Sequence, residues 1–329
     1  MSMPPVSIVV LSYNRLADLR VNVPQLAEWC GEFGYELIVA DNASTDGSQE
    51  YLAEAKSQFS VLQVVQNSEN LGVGSGRNSG FRIANGRIIL CLDDDSLPQR
   101  EFLADLPALF EAYPEAGLIC PLVIGKVDRV PDNYHGDEPA WVANFHGACH
   151  AFKREVVDCI GLQDEGCEFG GEEIDYSIRA HDAGFKTLYH PGYISEHNVV
   201  QQTGPERSRR TARWIYNYSR VLTKNFGPEK GAALAKNYTR VRWAALIRGR
   251  HFELAKALWP EHARGVQKGC EDVNLVSEGT LSFYSDPDLR PFFGNVPLPV
   301  YIANSLTGKC NEEAAEKHLV GVRPLKSSH

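Results

Sequence analysis

Three consecutive carboxylates, Asp93-Asp94-Asp95, follow directly on the apolar run of residues 88–92. Acids this close repel one another, and taking them out of water is costly without a counter-charge. A hard divalent cation such as Mg²⁺ or Mn²⁺ would supply that charge and would bridge to the oxygens of a pyrophosphate. Taken alone, the triplet also reads as a solvated acidic loop. A second acidic knot, Gly170-Gly171-Glu172-Glu173-Ile174-Asp175, precedes a helical run at 176–183. It reads either as acids that favour a helix N-terminus or as a general base that takes the proton from an attacking hydroxyl. His197, after the segment 188–195, reads as a structural histidine or as a third metal ligand brought from a distant part of the chain. His146 and His150 have weaker claims.

Two further patterns carry less. The glycine cluster Gly72-Val-Gly74-Ser-Gly76-Arg-Asn-Ser-Gly80 invites a dinucleotide reading, but that fingerprint belongs right after the first strand with an acid on the next one. A tight turn into a helix is the plainer reading, with Arg77 and Asn78 at the helix start able to face a phosphate or a sugar. Asp93, Asp95 and Ser96 mimic a phosphatase Asp-x-Asp, yet the place after the first strand holds Ser12-Tyr13-Asn14 rather than a nucleophile. An EF-hand is excluded because neither its glycine nor its terminal glutamate falls at the required offset.

The elements that must position these residues are legible in the apolar pattern. Short β-branched runs at 6–11, 36–40, 61–65 and 87–92 alternate with helical stretches at 16–29 and 48–57. Such alternation predicts an α/β fold with a mostly parallel sheet flanked by helices. Ser44-Thr45-Asp46 offers capping side chains for the second helix. Each strand ends on polar groups: Ser12-Tyr13-Asn14-Arg15, Asp41-Asn42, Asn67 to Asn70, and Asp93-Asp94-Asp95. The carboxyl ends of neighbouring parallel strands are where open sheets bind ligands, so one crevice is expected to collect them. From Glu206 the texture turns to Arg- and aromatic-rich helical sequence, and beyond Asp272 no clear period remains.

Composition bounds the rest. The 329 residues carry 33 Lys and Arg against 42 Asp and Glu, a net charge of -9 that speaks against a dedicated nucleic-acid binder. Eight scattered cysteines without zinc spacing are expected to be reduced core thiols. No apolar run approaches the roughly 20 residues of a membrane span and no secretory leader is visible, so a cytoplasmic protein is expected. The basic, aromatic C-terminal helices read either as an amphipathic packing face or as a face for an anionic membrane surface or lipid-linked acceptor, peripheral at the inner face of the membrane.

At VSIVVLSYNR, ELIVADNASTDGS, NSENLGVGSGRNSGFRIANGRIILCLDDDSLP and FGGEEIDYSIRAHDAGFKTLYHPGYISEH, spanning about residues 6–198 in order, the chain resembles family 2 glycosyltransferases with the GT-A fold. The likeness is strongest to bacterial rhamnosyltransferase-like enzymes. It implies that Tyr13 and Asn14, with Ser12 and Arg15 beside them, line the nucleotide base, that Asp41 hydrogen-bonds that base, and that Arg77 belongs to the donor-site loop. Asp93 and Asp95, with Asp94 between them, would contact ribose and metal, and His197 would complete a Mn²⁺ or Mg²⁺ site. Glu173 falls where the family places an Asp base, with Glu172 as its acceptor-contacting partner. The family's Glu-Asp pair is Glu172-Glu173 here, one methylene longer, and leaves both carboxylates as candidate bases.

The implied activity is inverting transfer of a sugar from a UDP- or dTDP-type donor to a glycan or lipid-linked acceptor, as in polysaccharide biosynthesis. The chain is then expected to divide into a catalytic region at 1–205, with donor and metal in 1–100 and acceptor and base in 101–205, and a helical extension at 206–329. Two rivals are a nucleotidyltransferase, whose basic Gly-rich loop is absent after the first strand, and a non-catalytic nucleotide-sugar-binding module.

Overall fold

The computed structural model describes residues 4–285 apart from 128, 130, 134 and 199–203, together with 323 and 324. The run Val6–Ser12 forms β1 with every residue but Leu11 buried, as a strand covered on both faces must be. It leads into α1 (Leu16–Phe33), whose buried residues Leu19, Val23, Leu26, Ala27 and Cys30 recur at helical spacing. Gly34, at φ 69°, closes that helix in the left-handed conformation. The series continues through β2 (Glu36–Asp41), α2 (Ser48–Gln58), β3 (Leu62–Gln66), α3 (Gly72–Phe81) and β4 (Ile88–Asp93). The N-cap of α2 is Gly47, and Asp46 just before it accepts at Oδ1 from the Ser48 amide at 3.1 Å and hydroxyl at 2.6 Å.

The order β4–β1–β2–β3 is parallel throughout. The remaining strands are β5 (Ser96–Pro98), β6 (Ala116–Gly125), β7 (Ala140–Val142), β8 (Cys149–Lys153) and β9 (Lys186–His197). Helices α4 (Arg100–Ala112) and α5 (Arg154–Ile160) intervene. The expected α/β fold with helices flanking the sheet is what forms; beyond its parallel half, β8 runs antiparallel between β4 and β6, and β5 and β7 both pair antiparallel with β9. The sheet is therefore mixed; the alternation in the sequence covered only the four strands of the parallel half, and residues 115–198 gave no comparable period.

Glycines in α3 allow it to lie close on the sheet. A Cβ on Gly80 would sit 2.5 Å from Val9 Cγ1, and one on Gly76 would sit 2.7 Å from Leu11 Cδ1. The glycine cluster is thus a packing device, which explains why it lacks a dinucleotide setting. Arg77 and Asn78, read from the sequence as able to face a phosphate or a sugar, are 1% and 0% exposed. Asn78 spends its side chain on Gln163, giving Nδ2 to its carbonyl at 2.9 Å and accepting its amide at 3.0 Å.

The described residues fall into two compact units, one from 4–168 and 183–198, the other from 169–182 and 204–285. The helix bearing Glu172 and Glu173, read from the sequence as part of a region at 1–205, groups here with the C-terminal helices. That second unit contains α6 (Glu172–Asp182), α7 (Gly204–Phe226), a π-helical turn (Gly227–Gly231), α8 (Ala232–Arg248), α9 (Phe252–Glu271) and α10 (Glu278–Ser285). Much of the Arg and aromatic texture is interior: Trp214 stacks on Tyr218 and Tyr218 on Tyr238, and Arg220 is 8% exposed and bonded to Asp272. These residues follow the packing-face reading. No helix among the described residues is long and apolar enough to cross a membrane.

Candidate donor and metal site

Parallel register brings the strand ends together as expected. Ser12 stands beside Asp41, and Leu11 beside Asp93. Asp41 is fully buried at the end of β2, and its Oδ2 accepts from the Ser44 amide at 3.0 Å and Gln49 Nε2 at 3.1 Å. Its Oδ1 has no protein partner. A buried carboxylate oxygen left open is costly unless a ligand donor completes it. Tyr13 offers a ring that is 46% exposed, while its amide donates to Asp94 Oδ2 at 3.1 Å. Asn14 is committed elsewhere: at φ 54° it uses Oδ1 to accept the Thr45 amide and its own amide bonds Ser44 Oγ. Ser12 is buried and its carbonyl holds the Asn42 amide. The Asn14 amide and Oδ1 and the Ser12 carbonyl thus shape the loop, while the buried Ser12 hydroxyl has no protein partner.

The three consecutive acids divide in role. The side chain of Asp94 turns inward, with its Oδ2 against the Tyr13 amide and its carbonyl accepting Asn22 Nδ2 at 2.8 Å. Burial first, and then the charges of Asp95 and Asp93, raise its pKa well above the usual carboxylate range. Asp94 thus ties the end of β1 to the end of β4. Asp93, Asp95 and His197 instead place one ligand atom each within 4.8 Å of one another.

His197 reaches this cluster through strand pairing. In the antiparallel pair β5–β9 it lies directly opposite Ser96, and the next amide, that of Asn198, donates to the Asp95 carbonyl at 2.8 Å. Its Nε2 is 3.2 Å from Asp95 Oδ1 and its Nδ1 is 3.0 Å from Asp132 Oδ2. Burial alone would lower its pKa, but the hydrogen bonds it donates to Asp132 and Asp95 outweigh that and push it up to about 10. Beside it His146 is held at about 4, by burial first and then by the His197 charge.

Internal cations answer the repulsion that the triplet poses. Arg77 Nη2 donates to Asp93 Oδ1 at 2.6 Å and to the Gly147 carbonyl at 3.0 Å. Arg15 Nη2 lies 3.1 Å from Asp95 Oδ2. Arg15, Arg77 and the His197 imidazole thus lie beside the acids and share in offsetting their charge, next to the place where a divalent cation is expected. Arg77 bears on the site through Asp93 rather than from the surface.

The chemistry of the donor set nevertheless fits a cation. Two carboxylates and an imidazole converge, and proton loss from His197 would free its Nε2 as a ligand. Asp132 and His146 were missed in the sequence; His146 stood among the weaker histidines, and Asp132 lies in a loop without any pattern.

In the second unit, Gly170 and Gly171 adopt φ of 74° and 96° before α6. Their missing side chains admit α7, since Cβ atoms there would lie 3.3 Å from Trp214 and 3.0 Å from Asn217. Asn217 Nδ2 fixes the turn through the Phe169 carbonyl at 2.9 Å. Glu172 is 3% exposed and Glu173 half-buried at the N-terminus of α6, where the helix dipole favours carboxylates. Asp175 is structural: fully buried, it accepts from Lys224 Nζ at 2.8 Å, Arg179 Nε at 2.7 Å and Asn225 Nδ2 at 3.1 Å.

The sequence pattern of glycosyl transferase family 2 matches residues 7–161, and that of glycosyl transferase family group 2 matches residues 88–259. Among curated proteins, the glucosyl-dolichyl phosphate glucuronosyltransferase of Haloferax volcanii is 25% identical over 166 residues, 45% of this chain and 51% of that protein. Glycosyltransferase AglE of the same organism is 26% identical over 103 residues, 31% of this chain and 34% of that protein. The matched stretches thus span about a third to a half of those relatives. Among solved structures, the mannosyltransferase PcManGT from Pyrobaculum calidifontis, in complex with GDP-Man and Mn²⁺, superposes with a TM-score of 0.56 at 20% identity, covering 97% of this chain and 88% of that one. GalNAc-T7 with UDP, GalNAc and Mn²⁺ gives 0.57 at 19% identity over 83% of this chain and 57% of that one. At these identities the likeness shows the fold, which is GT-A.

Proposed function

The chain belongs to glycosyl transferase family group 2, and we propose that it transfers a sugar, with inversion, from a nucleoside-diphosphate sugar to an acceptor hydroxyl. The observation that carries this reading is the convergence of Asp93, Asp95 and His197 at the same strand ends as the open Oδ1 of buried Asp41. Asp41 accepts an N–H of the nucleotide base, and the exposed ring of Tyr13 offers it an apolar face. Asp93, Asp95 and His197 hold a divalent cation, and the imidazole suits Mn²⁺ better than Mg²⁺, which favours all-oxygen shells. When bound, such a cation neutralises charge developing on the departing diphosphate.

Arg77 keeps Asp93 oriented, and Glu173 takes the proton from the acceptor hydroxyl, with Glu172 contacting the acceptor. A single displacement of this kind inverts the anomeric centre. The mannosyltransferase of similar fold holds GDP-Man and Mn²⁺, and GalNAc-T7 holds UDP and Mn²⁺. These support a nucleotide-sugar donor; we take it to be UDP- or dTDP-linked, with a glycan or lipid-linked saccharide as acceptor.

The test is a panel of UDP-, dTDP- and GDP-sugars, each with Mn²⁺ or Mg²⁺, read by thermal shift and by donor hydrolysis. A cognate donor at 100 times its Kd should add about 2.7 kcal/mol to the native state. The Asp93→Ala/Asp95→Ala double variant should lose the cation-dependent shift and the hydrolysis. Retention of both by a folded double variant would remove the proposal's basis.

A further inference from the structure

We infer that Asp132 is the positioning residue for the metal site: it holds His197 in the tautomer and ring orientation that turn Nε2 toward Asp93 and Asp95. The inference rests on the proposed cation site and adds to it a residue from outside the ligand set.

The two nitrogens of an imidazole diverge, so a partner fixed on one decides what the other can do. Asp132 Oδ2 stands 3.0 Å from Nδ1, and Nε2 faces Asp95 Oδ1 at 3.2 Å. When Nδ1–H donates to Asp132, the lone pair for a cation is on Nε2. Without Asp132 the proton is free to sit on either nitrogen and the ring is free to turn. A carboxylate behind a ligating histidine also raises the basicity of the ligand.

Asp132 is built into place rather than resting there by chance. Gly125, at the end of β6, pairs with His197 in parallel register, so the loop that follows starts beside the ligand. The loop then folds back along β6. Pro131 bridges Ile124, and the Asp132 amide donates to the Val123 carbonyl at 2.8 Å. The neighbouring Asn133, 9% exposed, accepts the Val123 amide at 2.7 Å and donates Nδ2 to the Pro121 carbonyl at 2.9 Å. These bonds fix the loop backbone on both sides of the carboxylate. The His146 ring, edge-on to His197 at 5.9 Å and anchored by the Ala148 amide on its Nδ1, closes a further side.

The test uses the full chain with Mn²⁺ alone, titrated by calorimetry into wild type, Asp132→Ala, Asp132→Asn and His197→Ala, with melting in EDTA as the folding control. Asp132→Ala should weaken Mn²⁺ binding on the order of 10- to 100-fold. Asp132→Asn keeps an acceptor for Nδ1–H without the charge, and its affinity should fall between the other two. Long-range ¹H–¹⁵N spectra of the metal-free protein, at a pH where the imidazole is neutral, should show the His197 proton on Nδ1 in wild type and a mixed tautomer in Asp132→Ala. Should Asp132→Ala fail to fold, Asp132→Asn carries the comparison. Wild-type Mn²⁺ affinity in the folded Asp132 variants, together with an unchanged tautomer, would overturn the inference. Wild-type affinity in His197→Ala would overturn the cation site itself, a separate result.

Discussion

Arg77 Nη2 lies 2.6 Å from Asp93 Oδ1 while the Arg77 side chain is only 2% exposed and that of Asp93 is 32% exposed. A guanidinium buried in α3 thus fixes a carboxylate at the edge of the candidate metal site. The arrangement couples the stability of the domain to the orientation of a ligand.

Removal of this cation should be costly. Breaking a buried pair leaves an uncompensated charge, but Asp93 is partly solvated, so Arg77→Leu is expected to cost about 3 kcal/mol, the lower end of the range for such losses. Chemical denaturation checks this figure. Because a bound cation would supply the missing charge, the gap to wild type should narrow when Mn²⁺ is added.

His197 gives a pH dependence with a definite sign. Its pKa is raised from 6.5 to about 10, so its contribution is complete below 6.5 and is lost as pH rises through about 10. Asp132, lowered from 3.8 chiefly by the His197 hydrogen bond, contributes above that value and loses its share as pH falls further. The excess stability of metal-free wild type over His197→Gln should therefore be greatest between about pH 4 and 6.5 and vanish above about pH 10. Denaturant titrations in EDTA across this range measure it. Apparent Mn²⁺ affinity should rise with pH over the same interval, because the imidazole must shed its Nε2 proton to bind.

Gly80 separates packing from chemistry. An added methyl would meet Val9 Cγ1 at 2.5 Å, on a stiff β-branched side chain. Overpacking costs about 1–3 kcal/mol and the helix-propensity gain of Gly→Ala returns about 1, so Gly80→Ala should lose up to about 2 kcal/mol net. Its Mn²⁺ affinity, read by calorimetry, should stay within about twofold of wild type because Gly80 touches no ligand.

The two glutamates should part in kinetics. If Glu173 is the base, Glu173→Gln lowers kcat by about 10²- to 10⁴-fold and leaves the donor- and Mn²⁺-dependent thermal shift intact. Glu172→Gln should instead raise the acceptor KM with a smaller effect on kcat. Steady-state assays with the identified donor distinguish them, and the reverse pattern would assign the base to Glu172.

Residue order by itself determined the parallel half of the sheet and the polar strand ends, because apolar alternation between β1 and β4 is a local signal and neighbouring parallel strands must end on the same side. It also marked Asp93, Asp95 and His197 as partners through family likeness. What it left open lay in contacts between distant segments. The antiparallel pair that sets His197 opposite Ser96, the return loop that brings Asp132 to Nδ1, and the cations Arg15 and Arg77 beside the acids all depend on register and topology. So did the split within the triplet, where Asp94 turns inward against the Tyr13 amide and its two neighbours join His197. Local propensity sets which segments become strands and helices, but only the folded sheet decides which side chains share a space and therefore which charges neutralise one another.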